Sequence, residues 1–158
     1  MDHRGRSFDE VLRLSAPAME ATHDYIQWLF PLDVPSSVTR HAPIVDEHVV
    51  LAFAAEPALK TIVLRATDKM LGFYGLKLAM AADGAHVVRT AFFARRVAVW
   101  LTPDNHNYMR LTRILKSLSL LGQAPLARQL LVCLEGIYAE RAADIGPETL
   151  EFWRRAVQ

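Results

Sequence analysis

A chain of 158 residues with 52% apolar and 22% charged side chains has the size and composition of one globular domain, spanning residues 1–158, which excludes a disordered or fibrous chain. Its single cysteine, Cys133, excludes an internal disulfide and fits a reducing compartment, so a cytoplasmic location is expected. The net charge is only +1, yet residues 85–128 carry Arg89, Arg95, Arg96, Arg110, Arg113, Lys116 and Arg128 against Asp104 alone, between flanks that are net acidic.

The elements read as helical almost throughout. Met1 to Arg6 is polar and no apolar run follows it, so no secretory signal is expected. Ser7 with Glu10 three residues on makes a capping box, opening a short helix through Leu14. A second helix is predicted from near Ala16–Ala18 to Pro31, which cannot continue it. Residues 32–44, with Pro35, Ser36, Ser37 and Pro43, read as a loop. Asp46 is the predicted N-cap of a helix to Ala55. Pro57 opens a longer one that runs through Tyr74 and stops at Gly75. Asp83-Gly84 marks a turn, and Ala85 to Arg89 has room to be briefly extended. Helices follow over Phe92–Leu101, from Thr102-Pro103-Asp104 to Leu121 with Gly122 as its stop, from Pro125 to near Ala143, and from Pro147 to near Ala156. The longest uncharged run, Ser117 to Ala127, has 11 residues, well short of the roughly 20 a bilayer needs, so no transmembrane segment is predicted. The predicted fold class is all-α, a single irregular helical domain of six to eight helices.

Two segments stand out. In the first, Tyr25, Ile26, Trp28, Leu29 and Phe30 cover a broad apolar face, which reads as core. Glu20, His23, Asp24 and Gln27 gather at i, i+3, i+4 and i+7 on the remaining strip, a solvated face or a partner face. In the second, Tyr108, Leu111, Ile114, Leu115, Leu118 and Leu121 share the buried arc, and Asn107 falls inside it. A buried amide needs a hydrogen bond, so Asn107 is expected to tie this helix to a neighbour. His106, Arg110, Arg113 and Ser117 lie on an adjoining arc roughly 60° wide, with Lys116 farther round. Two arginines one turn apart suit a phosphate or carboxylate. They suit equally an acidic strip on another helix, such as Glu20 and Asp24. Arg95 and Arg96 extend the basic region, though adjacent helical residues point about 100° apart and at most one joins the same face.

Catalytic patterns are missing. No Gly-x-Ser-x-Gly, His-Glu-x-x-His, phosphate-binding loop or dinucleotide glycine pattern occurs, so a non-enzymatic protein without cofactor is expected. His41, Asp46, Glu47 and His48 can be drawn as metal ligands, but Asp46 is better used as a cap and no metal is expected. Cys133 lies in an apolar run and reads as an inert packed thiol.

The segments His23 to Pro31 and His106 to Leu118, with Phe73-Tyr74-Gly75-Leu76-Lys77-Leu78 between them, resemble the conserved domain of opioid growth factor receptors and their bacterial relatives. The resemblance runs from about Met19 to about Val132, and a compact, bacterial-type member of the family is expected. It implies a receptor-like domain that recognises a peptide or protein partner, and it brings no catalytic residue. An opioid peptide is not the expected natural ligand of such a member. The favoured expectation is a groove between the two motif helices, open and with exposed aromatic surface. The alternative is a nucleic acid or phosphate-bearing ligand at the basic region 89–128, which requires Arg110 and Arg113 to project together into solvent. An enzyme would require convergent polar groups in a deep pocket.

Overall fold

Local signals close most of the helices where the sequence places them. A computed structural model describes residues 1–82 and 84–158. Ser7 makes the capping box with Glu10 and opens α1 (Phe8–Leu12), and Ser15 caps α2 (Ala16–Ala21) by accepting from the Ala18 N–H. After a break comes α3 (Ile26–Leu29), a single turn. Asp46 caps α4 (Glu47–Ala55), and Pro57 begins α5 (Pro57–Tyr74). α6 (Phe93–Trp100), α7 (Asn107–Leu120), α8 (Ala124–Ile145) and α9 (Pro147–Arg155) follow in order.

Three expectations are corrected. The all-α expectation fails, because β1 (Leu76–Ala81) and β2 (Gly84–Arg89) form an antiparallel hairpin, and nine helices rather than six to eight occur among the described residues. Gly75 ends α5 with a left-handed φ of +77°, and its carbonyl accepts from both the N–H and the hydroxyl of Thr90. That closure sets the register Leu76↔Arg89, so Leu76 and Val87 are buried while most of the ribbon stays open. Only Leu76 and Val87 are buried along the ribbon, so no apolar–polar alternation marks it in the sequence. The turn expected at Asp83-Gly84 falls partly on Asp83, which lies outside the described residues.

The predicted helix from Ala16 to Pro31 is two helices. Thr22 is extended, with φ −106° and ψ 126°, and the chain re-enters helix only at Ile26. The predicted start at Thr102 also moves. Asp104 adopts φ +55°, and Asn105 organises the entry instead, its side-chain oxygen accepting from the Asn107 N–H. Its side-chain N–H₂ in turn donates to the Val99 carbonyl and the Thr102 hydroxyl.

The core centres on α7, whose Leu111, Ile114, Leu115 and Leu118 are buried against Leu126, Leu130 and Leu134 of α8 and Trp153 of α9. Two indole N–H groups cross-link the layers. Trp100 donates to the Tyr74 carbonyl, and Trp153 donates to the Tyr108 carbonyl. Among the described residues no helix is long and apolar enough to cross a membrane.

Candidate functional site: the junction of the two motifs

The break between α2 and α3 has a direct consequence for α7. An extended Thr22 aims its carbonyl out of the helical path, and Arg110 Nη2 donates to it at 2.9 Å. The same guanidinium donates to Asn107 Oδ1 at 3.1 Å, contacts His23 Nδ1 at 3.3 Å, and lies 5.5 Å over the Tyr25 ring. Arg110 is only 5% exposed, so these partners take the place of water around a buried cation. Glu20 supplies the counter-charge. Its carboxylate accepts from Asn107 Nδ2 at 3.1 Å, meets His106 Nε2 at 3.2 Å, and stands 3.8 Å from Arg110. Asn107 is fully buried and ties α7 to α2 through Glu20, as an amide in an apolar arc must tie to a neighbour. His23 and His106 meet edge to face at 5.2 Å. Burial holds His106 below the usual histidine pKa of 6.5, and the Arg110 charge adds to this against the pull of Glu20.

Beside this junction lies a cleft of about 220 Å³ between α3, α7 and the loop after Pro31, with His23, Gln27, His106, Arg110 and Arg113 among its walls. The loop is pinned at both ends. Leu32 and Ile44 form an isolated bridge, Val45 N–H donates to the Leu32 carbonyl, and Lys116 grips Asp33 at 2.7 Å. Ser36 Oγ turns the loop by accepting from the N–H groups of Val38 and Thr39, and Ser36, Ser37 and Val38 face the cleft. Arg113 Nη1 donates to the Phe30 carbonyl at 3.1 Å. Burial pushes the Arg113 guanidinium below its ordinary pKa, and no carboxylate among the described residues pairs with it. Gln27 is 5% exposed and its side-chain oxygen has no hydrogen-bond partner.

The structure thus brings Glu20, His23, Gln27, His106, Arg110 and Arg113 to one place and sends the other candidates elsewhere. Ser117 is fully buried below the cleft. Lys116 serves as the loop's anchor. Arg96 Nε donates to the Phe73 carbonyl at 2.6 Å and its guanidinium lies 4.8 Å over the Phe73 ring, while Arg95 is exposed on α6. Of the strip of Glu20, His23, Asp24 and Gln27, the helix break keeps Glu20, His23 and Gln27 near α7 and turns Asp24 away. Asp24 turns to the N-terminus and pairs with Arg4 and Arg6. Arg110 is buried, so the paired projection into solvent that the nucleic-acid alternative requires does not occur.

Aromatic exposure differs from expectation too. Tyr25 and Phe30 are fully buried and Trp28 bonds His3, so the cleft's apolar rim is Val38, 65% exposed, and Met109, 78% exposed. Sequence reading missed Ser36, Ser37, Val38 and Met109. The loop serines carried no periodic signal. Met109, a large apolar side chain off its helix's buried arc, was a signal within reach.

Among the described residues no group of three His, Cys, Asp or Glu side chains could hold a metal ion. Burial raises the Cys133 thiol above its ordinary pKa, which disfavours the reactive thiolate.

Comparison with known proteins matches the family described as the opioid growth factor receptor conserved region over residues 10–158. The chain is 38% identical over 144 residues to the opioid growth factor receptor of Mus musculus, covering 89% of this chain and 22% of that protein. It is 41% identical over 114 residues to the Homo sapiens receptor, covering 70% of this chain and 16% of that protein. It is 32% identical over 139 residues to the opioid growth factor receptor-like protein 1 of Mus musculus, covering 85% of this chain and 29% of that protein. The chain therefore spans less than a third of the length of these curated relatives. No solved structure matches it. With nearly its whole length matched, the chain belongs to the opioid growth factor receptor conserved-region family.

Proposed function

We propose that this domain is a non-enzymatic binding module that recognises a peptide or protein partner in the cleft between α3, α7 and the loop at 36–38. The observation that carries the reading is the cleft's construction. An exposed apolar rim, Met109 and Val38, borders a cleft also lined by Arg113, which has no carboxylate partner among the described residues, and by Gln27, whose side-chain oxygen has no donor. Apolar edges over a few placed polar groups suit a peptide, whose side chains need burial and whose backbone needs partners. The relatives are named receptors, which supports recognition rather than catalysis as the family's trade. A cytoplasmic location belongs to the same proposal and rests on the lone cysteine.

The test is selection from two displayed peptide libraries, one with free C-termini and one with both ends embedded. Enriched peptides are then titrated against the protein and against a folded Met109→Asp variant. Enrichment from either library, with affinity at least about tenfold weaker for the variant, is the expected result. Failure of both libraries to enrich, or binding indifferent to Met109→Asp, rejects the cleft as a peptide site.

A further inference from the structure

Gln27 and Arg113 carry unmet polar capacity of complementary kinds. Gln27 is 95% buried by its 5% exposure, lines the cleft, and its side-chain oxygen accepts nothing. A buried amide oxygen without a donor is disfavoured, so the site calls for a ligand N–H. Arg113 spends one guanidinium N–H on the Phe30 carbonyl and has no carboxylate partner among the described residues, so it calls for an anion. Its neighbours along α7 are already compensated, Arg110 by Glu20 and Lys116 by Asp33. Ser36 Oγ already accepts two backbone N–H groups, which leaves its own O–H for a ligand oxygen.

We infer that the cleft takes the free C-terminus of a peptide. Its carboxylate lies on Arg113 and Ser36, its last backbone N–H on Gln27, and its terminal apolar side chain against Ile26, Val38 and Met109. This rests on the peptide-binding reading and names which end of the peptide the site holds. The chemistry favours a carboxylate over a phosphate. One uncompensated guanidinium balances a single negative charge, whereas a phosphate near pH 7 carries closer to two. The Gln27 oxygen would repel a second anionic oxygen and instead suits an amide N–H, which a peptide terminus offers beside its carboxylate.

The smallest probe with both groups is N-acetyl-leucine. It is titrated into the full chain while the Arg113 Nε–H and Gln27 side-chain amide signals are followed by two-dimensional NMR. N-acetyl-leucinamide and inorganic phosphate are run at equal ionic strength. Saturable shifts of both signals are expected with the acid, about tenfold weaker binding with the amide, and no saturable shift with phosphate. Arg113→Gln should abolish the effect of the acid. Equal binding of acid and amide, phosphate binding as tight as the acid, or an unchanged Arg113→Gln titration overturns the assignment. The acid–amide comparison uses the unaltered protein and so stands even where the variant fails to fold. Enrichment confined to the library with embedded ends would sink this inference and leave peptide recognition standing. Silence from both libraries and from N-acetyl-leucine would sink both.

Discussion

Glu20 meets three side chains from the start of α7 and its N-cap. His106, Asn107 and Arg110 all converge on its carboxylate. Such a knot ties the stability of the motif junction to the protonation of His106. A neutral imidazole donates one N–H to Glu20, while burial and the Arg110 charge oppose a second proton. The sign follows from linkage. The unfolded chain takes up this proton near pH 6.5, but the folded chain takes it up only at lower pH. Stability from this residue is therefore complete above the unfolded value and is lost as pH falls from there toward the folded one. Urea midpoints of the protein should drop between pH 7 and 5.5, and a His106→Gln variant should show a flatter profile over the same range. Parallel profiles for the two proteins would mean that His106 titrates alike in the folded and unfolded chain.

At the scale of elements, Gly75 joins α5 to the hairpin and has no room for a side chain. A Cβ there would sit 2.8 Å from the Phe93 backbone and 3.0 Å from the Arg96 side chain, on a left-handed φ of +77°. Left-handed strain alone costs about 1–3 kcal/mol, and the approach to a fixed backbone adds to it. Gly75→Ala should therefore lower the thermal midpoint sharply, whereas Gly84→Ala, with open space around it, should lower it less. Equal effects of the two would locate the constraint outside the α5–α6 contact.

This same residue shows how far the sequence could be read. Caps and stops carried by one residue type, at Ser7, Asp46, Pro57 and Gly75, were legible because each satisfies or breaks a backbone hydrogen bond locally. The helix break at Thr22 was not. No glycine or proline marks it, and its carbonyl is satisfied by Arg110, a residue 88 positions away. The candidate site was legible in part for the same reason. Spacing on α7 grouped His106, Arg110 and Arg113, but the cleft needs the loop serines, whose place depends on a parallel bridge and an ion pair to α7.

Across the whole molecule, most of the basic excess of residues 85–128 is tied into the fold, while Arg113 keeps no carboxylate partner among the described residues. Arg89 makes a bidentate pair with Glu140, Arg96 serves Phe73, Arg110 serves Glu20 and Thr22, Arg113 serves Phe30, and Lys116 serves Asp33. Arg95 on α6 and Arg128 on α8 remain exposed, on separate elements. A polyanion approaching this surface meets a carboxylate beside Arg89 and another beside Lys116, so the local positive field largely cancels at the distances where phosphates bind. Neutralising six to ten phosphates produces steep salt dependence, whereas three scattered charges, Arg95, Arg113 and Arg128, produce a slope of about three or less. Labelled single- and double-stranded oligonucleotides should accordingly show no micromolar binding at about 100 mM salt, and an Arg110→Ala/Arg113→Ala variant should lower any weak residual binding only slightly. Tight binding that weakens steeply with salt, and vanishes in that variant while it remains folded, would require both arginines to leave the junction. The Glu20 knot would then have to open in the bound state, and the cleft would be a closed form of a nucleic-acid site.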